Sequence, residues 1–150
     1  MRRCKRIGFA LPAYHQSPGN VRLKEKKMTV MTDAVRYRWN DMEQDHPMDL
    51  IDRRRIMGEK VMVSEVILHK GFSVASHQHE NEQIGIVLSG KVTFGIGEGD
   101  DYHEMTLEGG EVIHLPPNVV HSAVALEESR ILDIFSPVSE TTGVDGGRKS

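Results

Sequence analysis

Short apolar segments, separated by glycine and proline, run through most of this chain and limit its fold more than any other feature does. In several of these segments apolar residues recur at every second position, which is typical of β-strands. No segment carries the long 3.6-residue periodicity of an amphipathic helix. The pattern predicts an all-β sandwich or barrel, with strands at 60–68, 84–88, 91–96, 104–107, 111–115, 119–126 and 130–135.

The segments before and between these strands carry further predictions. Ser89 and Gly90 separate two adjacent predicted strands, which indicates a hairpin that pairs residues 84–88 with residues 91–96. Residues 37–45 are predicted to form an opening strand or a short edge segment. Residues 52–55 are predicted to form a charged turn that leads into a strand, in which one inward-facing arginine could hold an anion.

The composition indicates one globular domain with no nucleic-acid or membrane partner. The chain has 150 residues, 38% of them hydrophobic and 27% charged, and can bury a sizeable core. A formal net charge of −3 provides no basic surface for nucleic acid. No apolar run approaches the ~20 residues that span a bilayer. Cys4 is the single cysteine, which excludes an internal disulfide and favours a cytoplasmic location.

Two tails are predicted on either side of a single domain at 35–139. Residues 1–34 are predicted to be disordered, because the stretch is basic, contains Pro12 and Pro18, and lacks strand or helix periodicity. A signal peptide is the competing interpretation, although the apolar stretch at 7–11 is shorter than the ~7–15 residues expected of its core. A third interpretation is a start codon assigned too early, before Met28 or Met31. The Ser, Thr and Gly content predicts a flexible tail at 140–150.

Two histidines one residue apart, His77 and His79, are the first candidates for a functional site. A β-strand would place both side chains on one face, and Gln83 has the same parity along the chain. His121 can join them only if the fold brings two distant segments together. The spacing alone is a weak signal of a metal site.

A longer motif surrounds these histidines. Gly71, His77-x-His79, Gln83 and Gly90 follow one another with the spacing of the first motif of the cupin family, in which most members have Glu at the position of Gln83.

A second stretch resembles the second cupin motif. It contains Gly110, Pro116-x-Asn118 and His121, with Asn118 in place of the usual Gly and Ala125 in place of the usual final Asn. The resemblance implies a single-domain cupin jelly roll. It also implies that one divalent metal lies inside the barrel, bound by His77, His79, Gln83 and His121.

Within the cupins, two stretches resemble the small KdgF-type proteins of pectin and alginate degradation, namely 81–85 and 132–137. Those proteins open the ring of 4,5-unsaturated monouronates to linear ketouronates. The resemblance implies that Asp133 and Phe135 are catalytic-site residues, with Asp133 moving a proton beside the metal. The family pattern has an arginine where this chain has Ser139, so a substrate carboxylate would instead need an arginine from 53–55.

The chemistry of the ligand set bears on the reaction. Three imidazoles and an amide oxygen are neutral, so a bound metal keeps its double charge and favours a small anionic substrate. Such ligands suit Ni, Zn, Mn, Fe or Cu. Two alternatives stay open: a metal-dependent dioxygenase of the quercetinase type, and a non-catalytic cupin that binds a small ligand. The resemblance further implies a homodimer.

Overall fold

The structure, a computed structural model, describes residues 33–138 and contains nine β-strands within that range. Every strand pairs antiparallel with its neighbours. The strands are Ile51–Met57 (β1), Met62–Leu68 (β2), Ser73–His77 (β3), Glu82–Ser89 (β4), Lys91–Ile96 (β5), His103–Glu108 (β6), Val112–Leu115 (β7), His121–Ala125 (β8) and Ser129–Ser136 (β9). The predicted tails lie outside the described residues, apart from positions 33 and 34. No helix within the described range is long and apolar enough to cross a membrane.

The strands form two sheets, ordered β1-β2-β9-β4-β7 and β3-β8-β5-β6. Only β1–β2 and β5–β6 are neighbours both along the chain and within a sheet, and every other connection crosses between the sheets. This repeated crossing is the jelly-roll arrangement. The predicted all-β jelly roll is therefore confirmed.

The core lies between the two sheets, where alternate residues of each strand point inward. Val87 on one sheet and Val92 on the other are completely buried. They belong to one cluster of buried apolar residues that joins both sheets: Ile51, Val66, Leu68, Phe72, Val87, Val92, Phe94, Leu107, Ile113, Leu115, Ala123, Ala125 and Ile131.

The predicted hairpin at Ser89 and Gly90 is wrong. β4 pairs with β7 and β9, whereas β5 pairs with β6 and β8, so the turn carries the chain from one sheet to the other. Gly90 has a φ of +88°, and a Cβ there would come within 2.3 Å of the Ser129 hydroxyl oxygen. The glycine allows this close approach to β9, and the resulting corner replaces a hairpin turn.

Two predictions before β2 also need correction. Residues 52–55 are part of β1 and form no turn, because their charged side chains find partners on neighbouring segments. Residues 37–45 contain a 3₁₀ turn at Trp39–Asp41 and no strand, although Asp45 makes one isolated bridge to Arg53.

Candidate metal centre

Two histidines reach the interior from paired strands of the four-stranded sheet. His77 is the last residue of β3 and His121 is the first residue of β8, and the two are direct partners in the ladder. Their ring centroids are 4.4 Å apart. The antiparallel pairing therefore joins positions that are far apart along the chain.

His79 reaches the same place from a loop. β3 ends at His77, so the prediction that one strand would carry both histidines is wrong. The backbone N–H of Asn118 donates to the His79 carbonyl at 2.8 Å, which ties this loop to the turn before β8. Asn118 has a φ of 63°, a left-handed conformation that asparagine tolerates. The His79 ring centroid lies 5.0 Å from that of His121.

Backbone carbonyls orient all three imidazoles in the same way. Nδ1 of His77 donates to the Ala75 carbonyl at 2.9 Å, and Nδ1 of His121 donates to the Val119 carbonyl at 2.8 Å. Nδ1 of His79 donates to the carbonyl of Asn81 at 2.9 Å. A carbonyl can only accept, so in each neutral ring Nε2 carries a lone pair.

The unprotonated nitrogens converge. One ligand atom from each of His77, His79 and His121 lies within 4.8 Å of the others. His77 Nε2 is buried and makes no hydrogen bond. Burial lowers the pKa of His121 to about 4, which keeps that ring neutral near pH 7. Neutral imidazoles with converging lone pairs fit one divalent metal.

Gln83 approaches this cluster from β4 in the other sheet. Its Oε1 lies 3.2 Å from His79 Nε2, and its Nε2 donates to Asp133 Oδ1 at 2.8 Å. Because Nδ1 of His79 carries the proton, His79 Nε2 can only accept, and so can Gln83 Oε1. The contact between these two atoms is therefore not a hydrogen bond. A cation bound between Gln83 Oε1 and His79 Nε2 would require this arrangement, in which both acceptors point toward the same place.

Asp133 and Phe135 occupy inward positions on β9. Burial raises the pKa of Asp133 to about 6, while the hydrogen bond from Gln83 opposes that rise. Gly85 is the partner of Asp133 in the ladder, and a Cβ there would approach Oδ1 to 3.1 Å. Phe135 is buried and meets the His79 ring edge-on, with centroids 5.8 Å apart.

A largely apolar cavity opens beside these groups. Its empty volume, including the mouth, is about 620 Å³. Arg53 on β1 is the one lysine or arginine among the described residues that line it. Arg53 is only 5% exposed and holds Asp45 through Nε at 3.0 Å and Nη2 at 2.8 Å. A fixed cation therefore lies in the wall of the cavity that contains Asp133.

The sequence patterns missed several features of this site. Arg53 was one of three arginines considered for binding a substrate carboxylate. The alternation of inward and outward side chains that begins at Ile51 could have selected it as the inward-facing one. Arg54 points the other way and donates to Glu65 at 3.2 Å. The carbonyls that orient the imidazoles left no sequence signal, because any residue supplies one. Ser139 lies outside the described residues. The structure does bring together six predicted site residues: His77, His79, Gln83, His121, Asp133 and Phe135.

Comparisons with known proteins agree with this architecture. Residues 64–135 match the family model of the cupin domain. The structure of KdgF from Halomonas sp. is 26% identical, with a TM-score of 0.66, and the match covers 74% of this chain and 100% of KdgF. An RmlC-like cupin from Shewanella frigidimarina is 22% identical, with a TM-score of 0.64 and coverages of 71% and 94%.

A larger protein matches over part of its length. Oxalate decarboxylase from Bacillus subtilis, which has Mn(II) centres, is 17% identical with a TM-score of 0.62. The match covers 71% of this chain and 30% of that protein. Comparison with curated protein sequences gave no match. Because the jelly roll, the family model and the KdgF structure all agree, residues 64–135 form a cupin domain, and the chain resembles a small cupin such as KdgF.

Proposed function

We propose that this protein is a metal-dependent enzyme that opens the ring of a 4,5-unsaturated monouronate to give a linear ketouronate. The carrying observation is a cluster of three imidazoles, two of which line one cavity together with Gln83 and Asp133. The resemblance to KdgF supplies the reaction class.

The metal would be held by His77, His79, Gln83 and His121, and Ni, Zn, Mn, Fe and Cu all suit these donors. Because the four ligands are neutral, the bound cation would supply Lewis acidity at its full double charge.

Asp133 is the acid–base group in this proposal. Opening the ring breaks the bond between C1 and the ring oxygen, and the C1 hydroxyl loses its proton to give an aldehyde. The ring oxygen leaves as an enolate, which becomes a ketone when C4 gains a proton, so the reaction is an isomerisation that consumes no water. Asp133 lines the cavity and can take the first proton and return the second. Phe135 packs against the imidazole ring of His79 and shields that side of the imidazole from water.

Arg53 is the proposed receptor for the substrate carboxylate. It lines the cavity on β1, and its guanidinium, already paired with Asp45, would add a charge-assisted hydrogen bond to the substrate carboxylate. This assignment replaces the arginine that KdgF-type proteins have at the position of Ser139.

The experiment follows the loss of the C4=C5 absorbance of unsaturated galacturonate and mannuronate, with ¹H NMR to identify the linear product. We expect metal-loaded protein to accelerate ring opening, and a chelator or the Asp133→Asn substitution to abolish the acceleration. A rate equal to the protein-free control with every metal tested would contradict the proposal. Oxygen uptake with a flavonol by Fe- or Ni-loaded protein would instead favour the dioxygenase.

The homodimer and the cytoplasmic location stay predictions. Sedimentation velocity of the purified protein tests the first, and fractionation of the cells that produce it tests the second.

A further inference from the structure

The amide of Gln83 can take two orientations, and they have opposite consequences for the cluster of imidazoles. In the orientation observed, Oε1 faces His79 Nε2 at 3.2 Å and offers a lone pair beside another lone pair. After a half-turn of the amide, the NH₂ group would donate to His79 Nε2 in an ordinary hydrogen bond. That hydrogen bond would block two ligand atoms at once.

The His79 tautomer makes the observed orientation unfavourable when taken alone. Nδ1 of His79 donates to the Asn81 carbonyl at 2.9 Å, so its Nε2 can only accept. Asn81 is 2% exposed and its side-chain amide donates to the Pro137 carbonyl, which fixes the loop. His79 therefore cannot change tautomer to rescue the contact without losing its partly buried hydrogen bond to Asn81.

Asp133 is the group that reverses this preference. Gln83 Nε2 donates to Asp133 Oδ1 at 2.8 Å, and a turned amide would place its oxygen against a carboxylate oxygen. Gln83 and Asp133 are diagonal neighbours on paired strands, since Asp133 pairs with Gly85. The glycine leaves space for the carboxyl, so a rigid ladder sets the donor and acceptor in place.

We propose that Asp133 is a positioning residue for the metal ligand Gln83, in addition to its proposed role in proton transfer. It holds the amide with the oxygen toward the imidazoles and the NH₂ group away from them. This inference rests on the proposed metal centre, but it does not depend on the uronate reaction.

The test measures the affinity for Ni²⁺ and Co²⁺ by competition with a chromophoric chelator. Loss of an outer-shell partner typically weakens metal affinity about 10- to 100-fold, and we expect that loss for Asp133→Ala. Asp133→Asn keeps an oxygen that accepts from Gln83, so its affinity should stay within about threefold of the unsubstituted protein. The asparagine variant should nevertheless lack ring-opening activity, which separates positioning from proton transfer.

A double-mutant cycle tests whether Asp133 influences metal affinity through Gln83. In a Gln83→Leu background there is no amide to orient, so Asp133→Ala should cause no further loss of affinity. The visible spectrum of the Co²⁺-loaded protein should change for Asp133→Ala and stay unchanged for Asp133→Asn, because it reports the ligand set. Urea unfolding of each metal-free variant checks that the barrel is intact.

The outcomes separate this inference from the function. Equal affinity of Asp133→Ala and the unsubstituted protein would overturn the positioning role alone. The positioning role would also be overturned if Asp133→Ala weakened metal affinity equally in the Gln83→Leu background. The same holds if Asp133→Asn bound the metal as weakly as Asp133→Ala. Failure of the unsubstituted protein to bind any metal would overturn the metal centre and this inference together. Metal binding as expected, without ring opening, would leave the inference standing and contradict only the reaction.

Discussion

Histidines lie in two different environments in this molecule, inside the barrel and on its outer surface. Inside, His77, His79 and His121 each donate Nδ1–H to a backbone carbonyl and turn Nε2 toward the others. A neutral carbonyl fixes the ring and its tautomer and leaves the second nitrogen as a potential ligand.

Three of the four described histidines on the outer surface have carboxylates as partners, whereas Nδ1 of His103 donates to the Asp101 carbonyl at 3.2 Å. His46 and His69 both contact Asp52, at 2.8 Å and 3.1 Å. His114, on the outer side of β7, lies 2.8 Å from Glu82. At His69 the neighbouring carboxylates raise the pKa of the imidazole and favour its charged form, which offers no lone pair to a metal. What distinguishes the inner histidines is the convergence of their ring nitrogens within 4.8 Å, because a carbonyl partner alone also occurs on the surface at His103.

The largest expected effect comes from removing one inner imidazole. His121→Ala should weaken Ni²⁺ or Co²⁺ binding by more than the ~100-fold that loss of an outer-shell partner causes, because a direct ligand is lost. His114→Ala is the matched control, since it removes an imidazole from the outer face of the same barrel. Chelator competition measures both. Similar affinities for the two variants would break the distinction between the two environments.

Arginines on β1 extend the same comparison. Arg53 lines the cavity, whereas Arg55 bonds to the same Asp45 at 3.2 Å and lies outside the lining. A charge-assisted hydrogen bond is worth about 1.5–3 kcal/mol, so Arg53→Gln should lower kcat/KM about 10- to 150-fold. The loss should fall mainly on KM, because the carboxylate is bound equally before and during reaction.

The matched control for that prediction is Arg55→Gln, which removes the second guanidinium from Asp45. Its kinetic constants should stay near those of the unsubstituted protein. Steady-state kinetics with the uronate measure kcat and KM for both variants. Equal losses in both variants would show that the ion pairs of Asp45 support the barrel and that neither arginine selects the substrate.

Sequence motifs were sufficient for the fold and for the residues that gather in the cavity. The short apolar segments at 60–68 and 130–135 predicted strands that the structure contains. Patterns failed where tertiary contacts override local chemistry. Three consecutive arginines suggested a turn, but pairing with Asp45 and Glu65 lets them form β1. Ser-Gly suggested a hairpin, but Gly90 allows an approach to β9 that no local pattern encodes.

The smallest expected effect belongs to the outer pair of His69 and Asp52. The hydrogen bond from His69 to Asp52 raises the pKa of His69 above its usual value near 6.5. A group whose pKa is raised by folding stabilises the folded state below its unfolded pKa, and that contribution disappears as pH rises through the folded pKa. The unfolding free energy of the unsubstituted protein should therefore exceed that of His69→Gln at pH 5, and the difference should shrink by pH 9.

Urea unfolding of metal-free protein at the two pH values measures this difference. His114→Gln serves as a control for a surface imidazole beside a single carboxylate, Glu82, where Asp52 and Glu128 both flank His69. A difference that is equal at pH 5 and pH 9 would mean that His69 acts through packing and not through its charge. The contrast between inner and outer histidines would then rest on their position in the barrel, because the carboxylate partners would no longer account for it.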